Sequence, residues 1–345
     1  MSKKILSCAI IGYGYMGEIR RLLVEKSKIA KLVMICEPDP NKLKEKQSFK
    51  VVRKTDDVIN SNVDVIFICT PNYLIPDLAI RSLGSGKHVF CEKPPGRTLN
   101  DIILMQVAEK QNPGAKLMFG FNHRYHPGVL RAKSIVDSGR FGRILSMRGL
   151  YGKSGGNNYE KSWRNDFSIS GGGILLDQGI HMLDLFNYFV GKFNTVKAFL
   201  SNSHWNIDVE DNAVVIMKND LDQLAMLHSS ATFWKHMFQI NFILEKGYIK
   251  LEGLLSKTGS YGRETLVIGN RQFEDEAEAI GNPSEETIYF DKDLSWEIEV
   301  NHFFKFILND LPVNMSNSID AYNAMELVHQ SYKDSKFNKY RLEAN

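Results

Sequence analysis

The sequence predicts two architectures in series: a doubly wound α/β domain on a parallel sheet, then a domain built on a large, mostly antiparallel open sheet. Three observations predict this. The first third alternates short apolar runs with helix-period segments. A glycine-rich turn joins the first run to the first helical segment. Beyond about Phe121 the runs lengthen, alternate in polarity and follow one another at hairpin spacing.

The first domain is placed at residues 1–121. Its short β-branched runs, Ile5–Ile11, Leu32–Cys36, Val63–Cys69, His88–Cys91 and Lys116–Phe119, are mostly apolar and look like strands buried on both faces. Glu18–Lys26, Asn41–Gln47, Leu74–Leu83 and Leu99–Glu109 lie between them with helical periodicity. Thr98 and Asp101 fit a capping box, and Asn112-Pro113-Gly114 ends that helix. Such alternation implies right-handed crossovers.

The second domain is placed at 122–345, for substrate binding and oligomerisation. Pro127–Asp137 reads as a helix, Gly139–Gly142 as a turn, and Gly152–Gly173 as a loop rich in Gly, Ser and Asn. Thr195–Ser201, Asn212–Lys218, Gln223–Ala231, Phe238–Glu245 and Tyr248–Leu251 read as strands, with turns at Lys218-Asn219-Asp220 and Glu245-Lys246-Gly247. Trp296–Asn309 and Ser318–Ser331 read as helices, the last of them free to pack back on the first domain.

Composition narrows the class. With 345 residues, 43% hydrophobic and 24% charged, the chain has the makings of two cores and none of the bias of a disordered protein. A net charge of +3, with no dense basic stripe, gives no electrostatic case for a nucleic-acid or membrane partner. The apolar run after Met1-Ser2-Lys3-Lys4 breaks at Gly12 and Gly14, and no uncharged stretch of about 20 apolar residues follows, so a cytoplasmic location is expected. Cys8, Cys36, Cys69 and Cys91 fall in or at the ends of strand-like runs without CxxC pairing and read as reduced, buried residues.

Gly12-Tyr13-Gly14-Tyr15-Met16-Gly17 stands between the first run and the first helical segment. The first glycine allows the tight turn, the second lets backbone approach a pyrophosphate, and the third lets helix and strand pack closely. The helix N-terminus supplies unpaired N–H groups to the phosphates. This is a Rossmann dinucleotide turn, with Gly12, Gly14, Tyr15, Met16 and Gly17 as cofactor contacts. Glu37 ends the second run about twenty residues on, placed to accept hydrogen bonds from a ribose diol. With Asp39 beside it, a 2′-phosphate would meet negative charge. NAD is therefore expected over NADP.

Three further motifs are Thr70-Pro71-Asn72, Gly86-Lys87-His88-Val89-Phe90-Cys91-Glu92-Lys93-Pro94, and the segment from Gly171-Gly172-Gly173 through Asp177 to His181. With these the chain resembles, almost end to end, the glucose–fructose oxidoreductase / inositol dehydrogenase (Gfo/Idh/MocA) family of nicotinamide-dependent sugar and polyol oxidoreductases. The resemblance implies that Thr70, Pro71, Asn72, Glu92 and Lys93 adjoin the cofactor and that Lys93, Asp177 and His181 are catalytic. It further implies that Asn122, His123, Arg124, Tyr125, Trp163 and Arg164 face the substrate, and that the protein is a homodimer or homotetramer. One departure is visible: many relatives carry a histidine where this chain has Ile75, followed by Pro76. Any contact made by that histidine is in doubt here.

The residue types suit the chemistry. Oxidising a secondary alcohol removes a hydroxyl proton while hydride leaves the same carbon, and a group titrating near neutrality does this best; His181 is one. In an α-helix Asp177 and His181, at i and i+4, share a face, with Asp184 beyond as a supporting partner. Lys93 is placed to stabilise alkoxide charge or relay the proton. Whether Lys93 or His181 takes the proton first stays open. Asp177, His181 and Asp184 could also ligate a metal, but no second His or Cys joins them, and no metal is expected. Arg164, Lys161, Lys153 and Arg124 could meet a phosphate or carboxylate, or be solvated surface charge; Trp163 could stack on a sugar or simply pack. The expected reaction is hydride transfer between NAD and a secondary alcohol or ketone carbon of a sugar or nucleotide-activated sugar. Two alternatives remain: a glycosidase that uses NAD transiently to oxidise C3, and a non-catalytic NAD-binding regulator.

Overall fold

Strands β1 (Leu6–Ile11), β2 (Ala30–Cys36), β3 (Lys50–Val52), β4 (Val65–Ile68), β5 (His88–Cys91) and β6 (Leu117–Phe119) form one wholly parallel sheet in the order β3-β2-β1-β4-β5-β6. This comes from a computed structural model that describes residues 5–43, 48–272 and 283–337. Helices α1 (Tyr15–Lys26), α2 (Thr55–Ile59), α3 (Ile75–Gly84) and α4 (Leu99–Gln111) connect the strands. β4 is buried at every residue, as a strand covered on both faces must be. The strand order reverses between β1 and β4, where doubly wound sheets bind ligands beyond the strand ends. The capping box at Thr98 forms, with Asp101 Oδ2 accepting from Thr98 N at 2.8 Å.

β3 and α2 are too short to announce themselves in the sequence. Of the helix expected at Asn41–Gln47, Asn41 and Lys42 lie in a 3₁₀ turn, Pro40–Lys42, and residues 44–47 lie outside the described residues.

The chain divides into two units: Met1–Phe121, Ser168–Gly171 and Trp296–Met325 in the first, and Asn122–Phe167, Gly172–Ser295 and Glu326–Asn345 in the second. The first unit thus takes in two segments from beyond residue 121. Nearly all of α8 (Ser295–Leu308), and the start of α9 (Ser318–Ser335), join the first unit. The cause is apolar: Phe303 lies edge-on to Phe90 at 5.6 Å between ring centroids, and Phe304 edge-on to Phe67 at 6.1 Å.

The second unit is built on β7 (Ile144–Gly152), β8 (Thr195–Ser201), β9 (Asn212–Lys218), β10 (Leu224–Ser230), β11 (Met237–Leu244), β12 (Gly247–Glu252), β13 (Glu264–Asn270) and β14 (Glu285–Phe290). Their order is β14-β13-β12-β11-β7-β10-β9-β8, antiparallel except for the β7–β10 pair. Helices α5 (Pro127–Asp137) and α7 (Ile180–Val190) belong here; the short turn α6 (Phe167–Ser170) begins in this unit and passes to the first. A π-helical turn, Leu175–Gly179, leads directly into α7. β7, β13 and β14 were not predicted. No helix among the described residues is long and apolar enough to cross a membrane. All four cysteines are free thiols, and burial pushes those of Cys8, Cys69 and Cys91 well above the ordinary value.

Candidate active site

The glycine turn of the first unit is dictated by space. Gly12 has φ +93°, and a side chain there would meet the Cys69 carbonyl oxygen at 2.7 Å; one at Gly17 would meet the Gly12 oxygen at 2.2 Å. Gly14, which caps α1 without a side-chain bond, has open space before it instead. Tyr15 is exposed and Met16 half-buried. Glu37 is buried, its carboxylate accepting from Tyr13 N at 2.9 Å and Asp39 N at 3.0 Å, with Lys42 Nζ at 3.2 Å. The acid therefore braces the turn it is expected to serve.

Thr70 lies against Gly12, and its hydroxyl oxygen is buried with no protein partner, as a group awaiting a ligand would be. Asn72 donates to Ser170 O at 2.7 Å. A tight turn, an open helix end, a buried acid and an orphan hydroxyl together fit a dinucleotide. Lys93 follows β5, half-buried, at the strand end where parallel sheets place ligands.

Glu92 is corrected. Its carboxylate takes Arg20 Nε at 2.7 Å, and Arg20 also meets Glu299 of α8 at 2.8 Å. The Arg20 guanidinium lies over the Phe90 ring at 4.4 Å. Burial alone would lower the Arg20 pKa, but the two carboxylates outweigh it and hold the charge on. Glu92 thus serves the fold beneath Lys93.

In the second unit Asp177 sits on the π turn. Its Oδ2 meets Lys153 Nζ at 2.8 Å and accepts from Gln178 Nε2 at 3.0 Å; its Oδ1 lies 3.4 Å from Arg164 Nε. Arg164 lies over the half-buried Trp163 ring at 4.4 Å. The α-helical i, i+4 relation assumed for Asp177 and His181 is replaced by this wider turn, a feature common at functional sites. His181 is buried and stacks on His123, with centroids 3.7 Å apart and planes 18° apart. His123 Nε2 is 2.9 Å from the Tyr151 hydroxyl, and its Nδ1 is 3.1 Å from Asn122 Oδ1. Burial raises the Tyr151 and Tyr261 phenols well above the ordinary range, helped at Tyr151 by the neighbouring Tyr261 and then Asp177, and at Tyr261 by Asp177.

Two residues expected to face the substrate have partners within the protein. Arg124 is buried, its Nε and Nη2 donating to the two oxygens of Asp184 at 2.8 and 2.6 Å, while the guanidinium lies over Tyr188. Arg124 and Asp184 form a bidentate, charge-assisted fork. Asn122 is also buried, engaged with His123 and with Ser295 Oγ at 3.4 Å. Tyr125 is likewise in the core, and Lys161 is exposed.

Gly171–Gly173 is no slack linker. Side chains at these positions would strike Arg97 Cβ at 2.4 Å, Tyr332 Oη at 2.1 Å and the Glu210 carbonyl oxygen at 2.1 Å. The fully buried Glu210 carboxylate accepts from Gly173 N, Leu175 N and Tyr332 Oη at 2.8–3.0 Å, fastening the start of the segment that carries Asp177 and His181. Burial pushes its carboxyl up to about 7 despite those donors. Its folded pKa lies above its unfolded value, so the stability it contributes is full below about pH 4.5 and is lost as pH rises through about 7. Between pH 5 and 8 the unfolding free energy of the protein, measured by urea titration, should fall more than that of Glu210→Gln, by an amount on the order of 2–3 kcal/mol. Parallel profiles would refute this.

Two family profiles cover most of the chain: "Oxidoreductase family, NAD-binding Rossmann fold" over residues 6–121 and "GFO/IDH/MocA C-terminal domain" over residues 129–250. The chain belongs to the Gfo/Idh/MocA family. Levoglucosan dehydrogenase of Pseudarthrobacter phenanthrenivorans is 34% identical over 57% of this chain, a match spanning 54% of that relative's length. Inositol 2-dehydrogenase of Salmonella typhimurium is 23% identical, with 92% and 91% of the two chains covered. 2,7-Anhydro-N-acetylneuraminate hydratase of Escherichia coli is 27% identical over 82% of this chain and 78% of its own. Among solved structures, levoglucosan dehydrogenase with NADH and levoglucosan shares the fold at TM-score 0.84 and 23% identity, covering 96% and 98% of the chains. The WlbA dehydrogenase of Bordetella pertussis with NADH and UDP-GlcNAcA shares it at TM-score 0.81 and 19% identity, covering 97% of each.

The family motifs gave Lys93, Asp177 and His181 but not the residues around them. Tyr151 lies on β7, Tyr261 and Glu210 on loops and Tyr332 on α9, most of them far along the chain. Only the acid pair Glu210-Asp211, directly before a predicted strand, offered a signal.

Proposed function

We propose that the protein oxidises a secondary alcohol of a sugar or nucleotide-activated sugar, with Lys93, Asp177 and His181 as its catalytic groups. The observation that carries this reading is the buried His181 beside a cation-clamped Asp177, in a chain whose first unit holds an NAD-binding turn. NAD, when bound, supplies the hydride acceptor. His181 receives the hydroxyl proton as the carbonyl forms, and the Lys93 ammonium stabilises the charge developing on oxygen. Asp177, fixed by Lys153 and Arg164, accepts a hydrogen bond from a substrate hydroxyl. Two cations against one carboxylate leave surplus positive charge, which suits a carboxylate or phosphate on the substrate. A structure sharing the fold holds UDP-GlcNAcA, which has both.

A second reading is favoured by the hydratase among the relatives, because hydration leaves no net oxidation. In that case NAD would be reduced and restored within one turnover, as the glycosidase alternative also requires. Incubating the protein and NAD with a panel of sugars, sugar acids and UDP-sugars separates them. NADH absorbance rising in step with ketone supports the dehydrogenase; sugar converted without NADH supports the redox-neutral reading. NAD bound with no sugar changed across the panel overturns both and leaves a regulator.

A further inference from the structure

We propose that Trp234, His204, Trp205 and Tyr159 form an aromatic shelf that holds the base of a nucleoside diphosphate carried by the substrate. This rests on the reading of Asp177 as a substrate contact and deepens it, naming a nucleotide-linked sugar over a free one.

The shelf lies wholly in the second unit, where residues 153–165, 202–211 and 231–236 come together. The Trp234 ring is 60% exposed, on backbone at φ +56°, a left-handed conformation that is costly for a bulky residue. His204 stands edge-on to Trp234 at 4.8 Å between centroids and edge-on to Trp205 at 5.0 Å. Tyr159 lies 4.9 Å beyond Trp205.

Strained backbone persists only where its surroundings hold it, and here they do. The buried Asp211 carboxylate accepts from Ser203 N, His204 N and Trp205 N at 2.8–3.1 Å. Trp205 Nε1 donates to Ala231 O at 3.1 Å, and a side chain at Gly155 would strike the Trp205 ring. Thr232 N donates to Ser230 Oγ at 2.9 Å, and Asn212 Nδ2 to Thr232 Oγ1 at 3.0 Å. A face fixed before its ligand arrives loses little freedom on binding.

Both flanks of the shelf lead to Asp177. Lys153, whose ammonium meets Asp177 at 2.8 Å, donates its backbone N–H to Ser230 O at 2.8 Å, just before the loop of Trp234. Asn165, next to Arg164, donates from Nδ2 to Tyr159 O at 2.6 Å. The charges agree: burial and then Asp177 raise the Tyr159 phenol, while burial and then Lys153 lower the pKa of His236.

The cations decide the occupant. A sugar at Asp177 and a ring on the shelf are linked alongside Lys153 and Arg164, with the exposed Lys235 next to Trp234. A diphosphate answers those cations with charge; the neutral link to a second sugar does not. Every base has a face that stacks on an aromatic ring, so the shelf asks for a base without choosing which.

The test uses full-length protein saturated with NAD, so that the dinucleotide turn is filled, titrated calorimetrically with UDP, inorganic pyrophosphate and maltose. UDP should bind more tightly than pyrophosphate. Trp234→Ala should weaken UDP roughly 10-fold and leave pyrophosphate unchanged, and Trp234→Phe, which keeps a ring, should restore most of the loss. With UDP-sugars, Trp234→Ala should raise KM by a similar factor and affect kcat less. The proposal is overturned if the NAD complex does not bind UDP, if Trp234→Ala binds it as well as the parent, or if maltose binds through Trp234 and UDP does not. A lower oligomeric order in Trp234→Ala with UDP affinity unchanged also overturns it, since the rings would then be a contact between copies. If UDP binds through Trp234 yet no UDP-sugar is oxidised or converted, the shelf stands and the reading of Asp177 as part of a reaction site fails on its own.

Discussion

Lys93→Met should lower kcat for sugar oxidation by about 10³-fold while leaving NAD affinity within a few-fold of the parent. Methionine keeps most of the aliphatic stem and removes only the ammonium. Lys93 follows β5, and the Glu92 beneath it is tied to Arg20, so the backbone that presents residue 93 is set by contacts the substitution does not touch. A group that stabilises charge only as the carbonyl forms contributes to kcat more than to binding, so KM should move little. Steady-state kinetics, with NAD binding followed by fluorescence, would check both halves. A variant that folds, binds NAD and turns over at the parental rate would remove Lys93 from the reaction.

The largest effect on stability is expected at Arg20. Arg20→Met should cost about 3–5 kcal/mol, because it strands two buried carboxylates, Glu92 and Glu299, that now share one guanidinium. The side chain has no exposed surface, and the rings of Phe90 and Trp296 lie against it. Adding Glu92→Gln and Glu299→Gln to Arg20→Met should recover part of the loss, since three neutral groups tolerate burial better than two unpaired charges. Urea unfolding of the single and triple variants would measure this. A single variant within about 1 kcal/mol of the parent would show that the cluster is not held by charge.

What could be read from the sequence was whatever chain neighbours determine. The dinucleotide turn needs three glycines in six residues between a strand and a helix, and the helix over Pro127–Asp137 carries its own proline start. β3 has only three residues, too few for a periodic signal. β14 is an edge strand whose Glu285, Glu286 and Thr287 face solvent, so it shows no apolar alternation. Partnerships between distant charges were not legible. Arg124 could be read as an anion ligand or as surface charge, and its pairing with Asp184, sixty residues on, left no trace in the sequence. Glu92 stands in a motif linked to cofactor binding, yet its partner is Arg20. The π turn escaped notice because a single extra residue in a helical turn leaves no mark on the polarity pattern.

The chain leaves its first unit at Phe121, revisits it at Ser168–Gly171 and returns to it again for Trp296–Met325. A fragment cut after Phe121 would keep Arg20 and Glu92 but lose Glu299, and with it the phenylalanines that cover Phe67 and Phe90. The nucleotide-binding part is therefore no exchangeable cassette. Grafting it onto another catalytic partner would require a three-segment splice, and chimeras joined at that single seam should aggregate.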